Sequence, residues 1–309
     1  MEQVKNLYPS MQISNFDIEQ VRQQIKKDFA PIREVYGDLN DFDCKQVFDA
    51  EQDLKMCASC KGLPCQHNHW KNLKPTVTTG SYWREGTIYP TVSVAYTDCK
   101  YALAVKRQKK FEKIFRTSKL PKKYIGKTFS DYEVTTDNKK AVDAAKEFLK
   151  NPSQGLRFYS MPGRGKTFLS AIIAQEFLKQ GHTIIFGDVP SILEDLKNTF
   201  DKDGDKKTFE LMDTLATVDL LILDDLGTET PTEWAVERLY LIINQRYNAE
   251  KPIIVTTNYK IQELEKRLNN PKNKTENMSS VTGSRIVSRI LEMCKGVELK
   301  GNDRRFFAN

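Results

Sequence analysis

Four short apolar runs, "GLRFYS", "TIIFGD", "VDLLILDDLG" and "KPIIVTTN", recur between residues 155 and 258, with helical patterns between them. Runs of this length that are apolar throughout, rather than alternating, read as strands covered on both faces. The intervening "KTFLSAIIAQEFLKQG" places apolar residues at 168, 169, 172, 173 and 177, and Gly181 is its stop. "SILEDLKNTF" and "EWAVERLYLIINQRY" read as further helices. Such alternation predicts an α/β domain on a central parallel sheet. Ligands bind these sheets at the carboxyl ends of their strands, so the residues that follow each run are candidates for chemistry.

The first of those ends is "FYSMPGRGKTFLS", residues 158–170. It fits the phosphate-binding pattern G-x-x-x-x-G-K-[ST] except that Ser160 replaces the first glycine. The loop works through backbone amides at the start of a helix, helped by the helix dipole. Those amides run from about Gly163 to Thr167, after Pro162, which has no N–H. Gly163 and Gly165 stand where the chain must curl against the ligand. A serine fills the first position if its φ is negative. The candidate ATP/ADP-binding set is therefore Pro162, Gly163, Arg164, Gly165, Lys166, Thr167 and Phe168. Lys166 would reach the β- and γ-phosphates, and the Thr167 hydroxyl would help hold Mg²⁺.

About 60 residues on, "LLILDD" delivers Asp224 and Asp225 to the same sheet edge. Asp224 suits a Mg²⁺-site role through water. Asp225 is placed to orient or deprotonate an attacking water. Asn258 ends the next strand, where its amide would help position that water.

The 309 residues allow two domains, and 39% hydrophobic content supports real cores. No apolar run approaches the roughly 18 residues of a membrane span. "MEQVKNLYPSMQ" has no apolar signal region, so a cytoplasmic location and reduced cysteines are expected. The expected organisation is residues 1–105, helical and zinc-binding; 106–127, a basic linker; and 128–309, the α/β domain. An early helix in "ISNFDIEQVRQQIKKDFAPI" is expected to stop at Pro31.

Cys57-x2-Cys60-x4-Cys65 packs three thiols into nine residues, "CASCKGLPC". Zinc takes four tetrahedral sulfur or nitrogen ligands, often from a close cysteine pair with distant partners. The fourth ligand is Cys99, with His67 and then His69 as alternatives. Cys44 and Cys294 read as ordinary thiols.

Charge is uneven. From Lys106 to Lys127 there are ten Lys or Arg and one acid, against a net of +7 for the whole chain. Such a run is either a solvated helix face or linker, or a contact for nucleic acid or an acidic partner.

Taken in order, "YIGKTFSDYEV", "SMPGRGKT", "LLILDDLG", "IIVTTN", "GSRIVSRI" and "GNDRRF" resemble the motifs of AAA+ ATPases of the bacterial helicase-loader family, the DnaI/DnaC type. The resemblance covers roughly residues 120–309 and implies an ATPase with a minimal lid and slow, switch-like hydrolysis. It implies an arginine finger at Arg289, reaching a neighbouring subunit's γ-phosphate, and a sensor at Arg305 acting within its own subunit. The cysteine-rich front resembles the zinc-bearing, helicase-binding domain of Gram-positive loaders. The implied partners are a hexameric replicative helicase, single-stranded DNA and further copies of the chain assembled on the helicase. Two other readings share parts of the sequence: a transposase-helper ATPase, and a non-catalytic zinc- and DNA-binding adaptor with a vestigial nucleotide site.

Overall fold

The computed structural model describes residues 18–60, 62, 65, 72–114, 120–200, 205–229, 231–270 and 281–304. They fall into two compact units, residues 1–103 and 104–309.

The first unit packs two helices on a hairpin. Helix α1 (Ile18–Tyr36) runs through Pro31 rather than stopping there, a correction to the expected boundary. Pro31 removes one intrahelical donor, but Phe29 and Ile32 on either side are buried in the unit's core, which favours continuing the helix. Gly37, at φ 88°, ends it instead, its N–H donating to Arg33 O at 2.9 Å. Helix α2 (Asp41–Ala58) is capped by Asn40, whose side chain accepts the Asp43 N–H at 2.8 Å. Strands β1 (Leu73–Arg84) and β2 (Thr87–Asp98) pair antiparallel over their full twelve residues. Glu85 and Gly86 make the two-residue turn, both with the positive φ that a type I′ turn requires. Val92 meets Phe29, Cys44 and Val47 in the core. Helix α3 (Lys100–Ile114) follows, so the basic segment begins inside a helix.

The second unit is the expected α/β domain with a five-stranded parallel sheet. Its elements are α4 (Lys139–Lys150), β3 (Gly155–Tyr159), α5 (Lys166–Lys179), β4 (Ile184–Asp188), α6 (Val189–Phe200), α7 (Asp205–Thr217), β5 (Leu220–Asp224), α8 (Glu233–Asn248), β6 (Ile253–Thr257), α9 (Ile261–Asn269), α10 (Thr282–Met293) and β7 (Cys294–Glu298). The strand order is β4-β5-β6-β3-β7. β3 therefore lies between the later strands β6 and β7, and β5 pairs with the other edge of β6.

Each sheet face has its own core. On one, Phe158, Ile222 and Ile254 pack on Leu169, Ile172 and Ile173 of α5 and on α4. On the other, Leu221, Leu223, Ile253 and Val255 pack on α6, α7, α8 and α10. Alternate strand residues supply the two cores, which is why the runs are near-continuously apolar rather than alternating. Each such fully buried aliphatic side chain stabilises the fold by roughly 1.5–3 kcal/mol. A buried cation ties the second layer together: the Arg246 guanidinium on α8 donates to Leu215 O (2.8 Å), Val218 O (2.8 Å) and Pro252 O (2.6 Å). It thereby closes the end of α7 and the starts of β5 and β6. Among the described residues, no helix is long and apolar enough to cross a membrane.

Candidate functional site

The parallel register fixes which residues meet at the carboxyl edge of the sheet. Tyr159 pairs with Thr257, and Asp188 with Asp224. The phosphate-binding loop therefore leaves β3 beside Asn258, with Asp224 and Asp225 one strand further on. Ser160 keeps a negative φ, as its place in the loop requires, whereas Gly163 and Gly165 adopt φ of 80° and 90°. Lys166 opens α5 and is buried. Its ammonium donates to Ser160 O at 2.9 Å, Met161 O at 3.1 Å and Asn258 Oδ1 at 2.8 Å. The cation is thus held at the centre of the loop by groups that phosphate oxygens could replace.

Asp224 is buried, and the Thr167 hydroxyl lies close enough to favour its ionised form, so the two residues expected at the Mg²⁺ site meet. Thr256 Oγ1 donates to Asp224 Oδ1 at 2.6 Å and accepts the Asp225 N–H at 2.8 Å. Burial pushes the Asp224 carboxyl up to about 6; the Thr256 and Thr167 hydroxyls oppose this, while Asp225 and Asp188 add to it. A divalent cation would relieve the same carboxylate crowding, so the donor set fits Mg²⁺. Asp225 takes φ 55°, rare for a residue with a Cβ, and faces the cleft.

That cleft has a volume of about 960 Å³ and is lined by the loop residues Pro162–Phe168, by Asp225 and Asn258, by Tyr124, Glu133, Thr135 and Asn138 from the segment before α4, and by Lys300–Asn302 and Arg304. The Tyr124 ring stacks on Phe168, 5.0 Å between centres. Gln175 of α5 holds this wall: its Oε1 accepts the Gly126 N–H at 2.6 Å and its Nε2 donates to Tyr124 O at 2.8 Å. The cleft is therefore polar and cationic at the loop and flat and aromatic at the other end, a shape suited to a nucleotide.

Lys166, Thr167, Asp224, Asp225 and Asn258 are thus brought together, as their order in the sequence suggested. Arg289 is not with them. It sits on α10, its Nε donating to Asn244 Oδ1 at 2.7 Å and its guanidinium lying over Tyr240 and Tyr247. Arg305, His67 and His69 lie outside the described residues. The sequence reading missed Thr256, Gln175 and Arg304. Thr256 had a signal: it and Thr257 are polar residues in an otherwise apolar strand, and both are fully buried.

A family model described as IstB-like ATP binding protein matches residues 99–307. The chain belongs to the IstB-like ATP-binding protein family. Within the curated proteins it is similar to the replicative helicase loader DnaI of Bacillus subtilis (strain 168), 24% identical over 70% of each chain. It is also similar to the replicative helicase loader DnaC of Escherichia coli (strain K12), 26% identical over 52% of this chain and 67% of that protein. Of the solved structures, a crystal structure of DnaI matches with a TM-score of 0.48 at 25% identity, covering 60% of this chain and 94% of that one. The resemblance read from the six motifs is borne out. Membership makes the chain an ATP-binding protein of the ATPase type, for which Mg²⁺ is the usual companion.

The cysteines form a second candidate site, in the first unit. The Cys57 thiol is pushed up by burial first and then by Cys60, Cys65 and Cys99 nearby. Gly62 N–H donates to Cys60 Sγ at 3.4 Å and Ala102 N–H to Cys99 Sγ at 3.5 Å, contacts that suit a thiolate. Four thiols are the donor chemistry zinc prefers. Among the described residues, however, no three ligating side chains converge on a point where they could hold an ion.

Proposed function

We propose that this chain is an ATP-dependent loader that places the replicative DNA helicase on single-stranded DNA during initiation. The observation that carries it is the convergence of Lys166, Thr167, Asp224 and Asn258 on one sheet edge, in a family whose relatives here are named replicative helicase loaders. In this reading the Gly163–Thr167 amides and Lys166 bind the phosphates, and Thr167 and Asp224 hold the divalent cation, which supplies charge neutralisation when bound. Asp225 orients or deprotonates the attacking water beside Asn258. Hydrolysis is slow and acts as a switch.

The same reading takes residues 1–105 as the helicase-binding part, with Cys57, Cys60, Cys65 and Cys99 as zinc ligands, residues 106–127 as a basic link, and residues 128–309 as the ATPase. A tetrahedral zinc would draw the four thiols together and tie residues 57–65 to residue 99. Copies assemble through the ATPase part on the helicase ring, where Arg289 serves as the finger in trans and Arg305 senses nucleotide in its own subunit. The Lys106–Lys127 segment contacts single-stranded DNA, which makes binding fall steeply with salt.

The test is a loading assay: the helicase from the same cell, circular single-stranded DNA without free ends, and the full chain with ATP and Mg²⁺. Helicase retained on the circle with wild type but not with Lys166→Ala supports the reading. Equal retention without the chain overturns it. Elemental analysis of unchelated protein decides zinc: about one per chain is expected, and none refutes it.

A further inference from the structure

The segment after β7, Lys300–Arg304, crosses the phosphate-binding loop. The Arg164 guanidinium donates to Gly301 O, and Arg304 N–H donates to Gly163 O at 3.0 Å. Toward the segment before α4, the Arg304 guanidinium lies 4.2 Å from the centre of the Tyr132 ring and donates to Glu133 O at 2.6 Å. Between these clamps is Asp303. Its carboxylate packs so closely on Gly163 that a Cβ there would collide with the carboxylate carbon and both oxygens. Gly163 carries the first of the amides assigned to the phosphates. An anion of the chain itself therefore rests against one end of an anion cradle.

We propose that Asp303 sets the nucleotide affinity of the cleft by competing with phosphates for the Gly163 end of the loop. The proposal rests on the nucleotide-site reading above. Asp303 and a polyphosphate drawn to the Gly163 end of the loop carry like charge and repel. A polyphosphate must push Asp303 aside. Because Gly301 and Arg304 are bonded on either side of it, the whole strap moves, breaking the Arg164 and Gly163 bonds. A nucleotide whose charge is partly neutralised by a divalent cation meets less opposition than free polyphosphate, so Asp303 also favours the cation-bound form.

The test is equilibrium binding of fluorescent ATP and ADP analogues, with and without Mg²⁺, to the full chain, Asp303→Asn, Asp303→Ala and Lys166→Ala. Both Asp303 variants should tighten binding about fivefold or more. The gain should be larger without Mg²⁺ and should shrink as salt rises. A dye on Asn302→Cys should change emission when nucleotide is added, and should start partly shifted in the Asp303→Asn background. Unchanged or weakened binding in both Asp303 variants overturns the proposal. If affinity still depends on Lys166, the nucleotide-site reading survives that failure. If wild type and Lys166→Ala bind equally, or neither binds, both fall.

Discussion

Thr256 and Asp224 share a 2.6 Å hydrogen bond across neighbouring strands, and the same threonine oxygen receives the Asp225 N–H. One hydroxyl thus orients both acids of "LLILDD". It also stabilises the ionised form of Asp224 against the burial that pushes its carboxyl up to about 6.

Asp224 should therefore be a site where stability is given up for chemistry. Its folded value lies above its unfolded one, so the penalty is absent below about pH 4, grows as pH rises through about 6, and is complete above that. Asp224→Asn should raise the stability of metal-free protein at about pH 8 by up to ~3 kcal/mol, with no gain near pH 4. It should also abolish Mg²⁺-dependent hydrolysis. Paired thermal melts at the two pH values check the sign.

Removing the Lys166 ammonium loses a charge-assisted phosphate contact of ~1.5–3 kcal/mol, more than tenfold in ATP affinity. It also leaves Asn258 Oδ1 and two loop carbonyls without their donor. Isothermal titration of Lys166→Ala is the measurement, and equal affinity would sink the site assignment.

Arg246 is fully buried and serves only carbonyl oxygens. Arg246→Met should cost ~3–5 kcal/mol by leaving those acceptors unpaired. The melting temperature should fall by roughly 10 °C for a unit of this size. A melt unchanged within a degree or two would show that the carbonyls find water instead.

Arg289 is held by Asn244, Tyr240 and Tyr247, remote from its own cleft. Arg289→Ala should leave ATP binding by the isolated chain nearly intact and remove assembly-dependent hydrolysis. Mixing it with Lys166→Ala pairs an intact cleft with an intact finger, so activity should partly return. Co-assembled mixtures that stay inactive would remove the trans role.

The α/β unit was legible because its buried strands are mostly apolar rather than alternating, and several end in a residue with chemistry to do. Strand order was not: nothing local in "GLRFY" says that it pairs with both "IIVTT" and "CKGVE". "CKGVE" itself is short and half polar, as suits an edge strand, and gave no strand signal. The hairpin is hard to read, because Pro75, Pro90 and Gly80 interrupt the pattern of strands that nevertheless pair throughout. Arg304 escaped notice, since only the path of the chain after β7 brings it to the cleft.

That strand order has a consequence for how the protein is made. β3, which carries the phosphate-binding loop, is synthesised well before either strand that flanks it. Roughly a hundred residues separate it from β6, or ~5–20 s of ribosomal elongation. During that interval β3 has both edges open, while the residues 1–103 unit has already been synthesised. The nucleotide cleft is therefore among the last features to form, and a ribosome stalled before β7 would display a finished amino-terminal unit joined to an ATPase that cannot yet close its sheet.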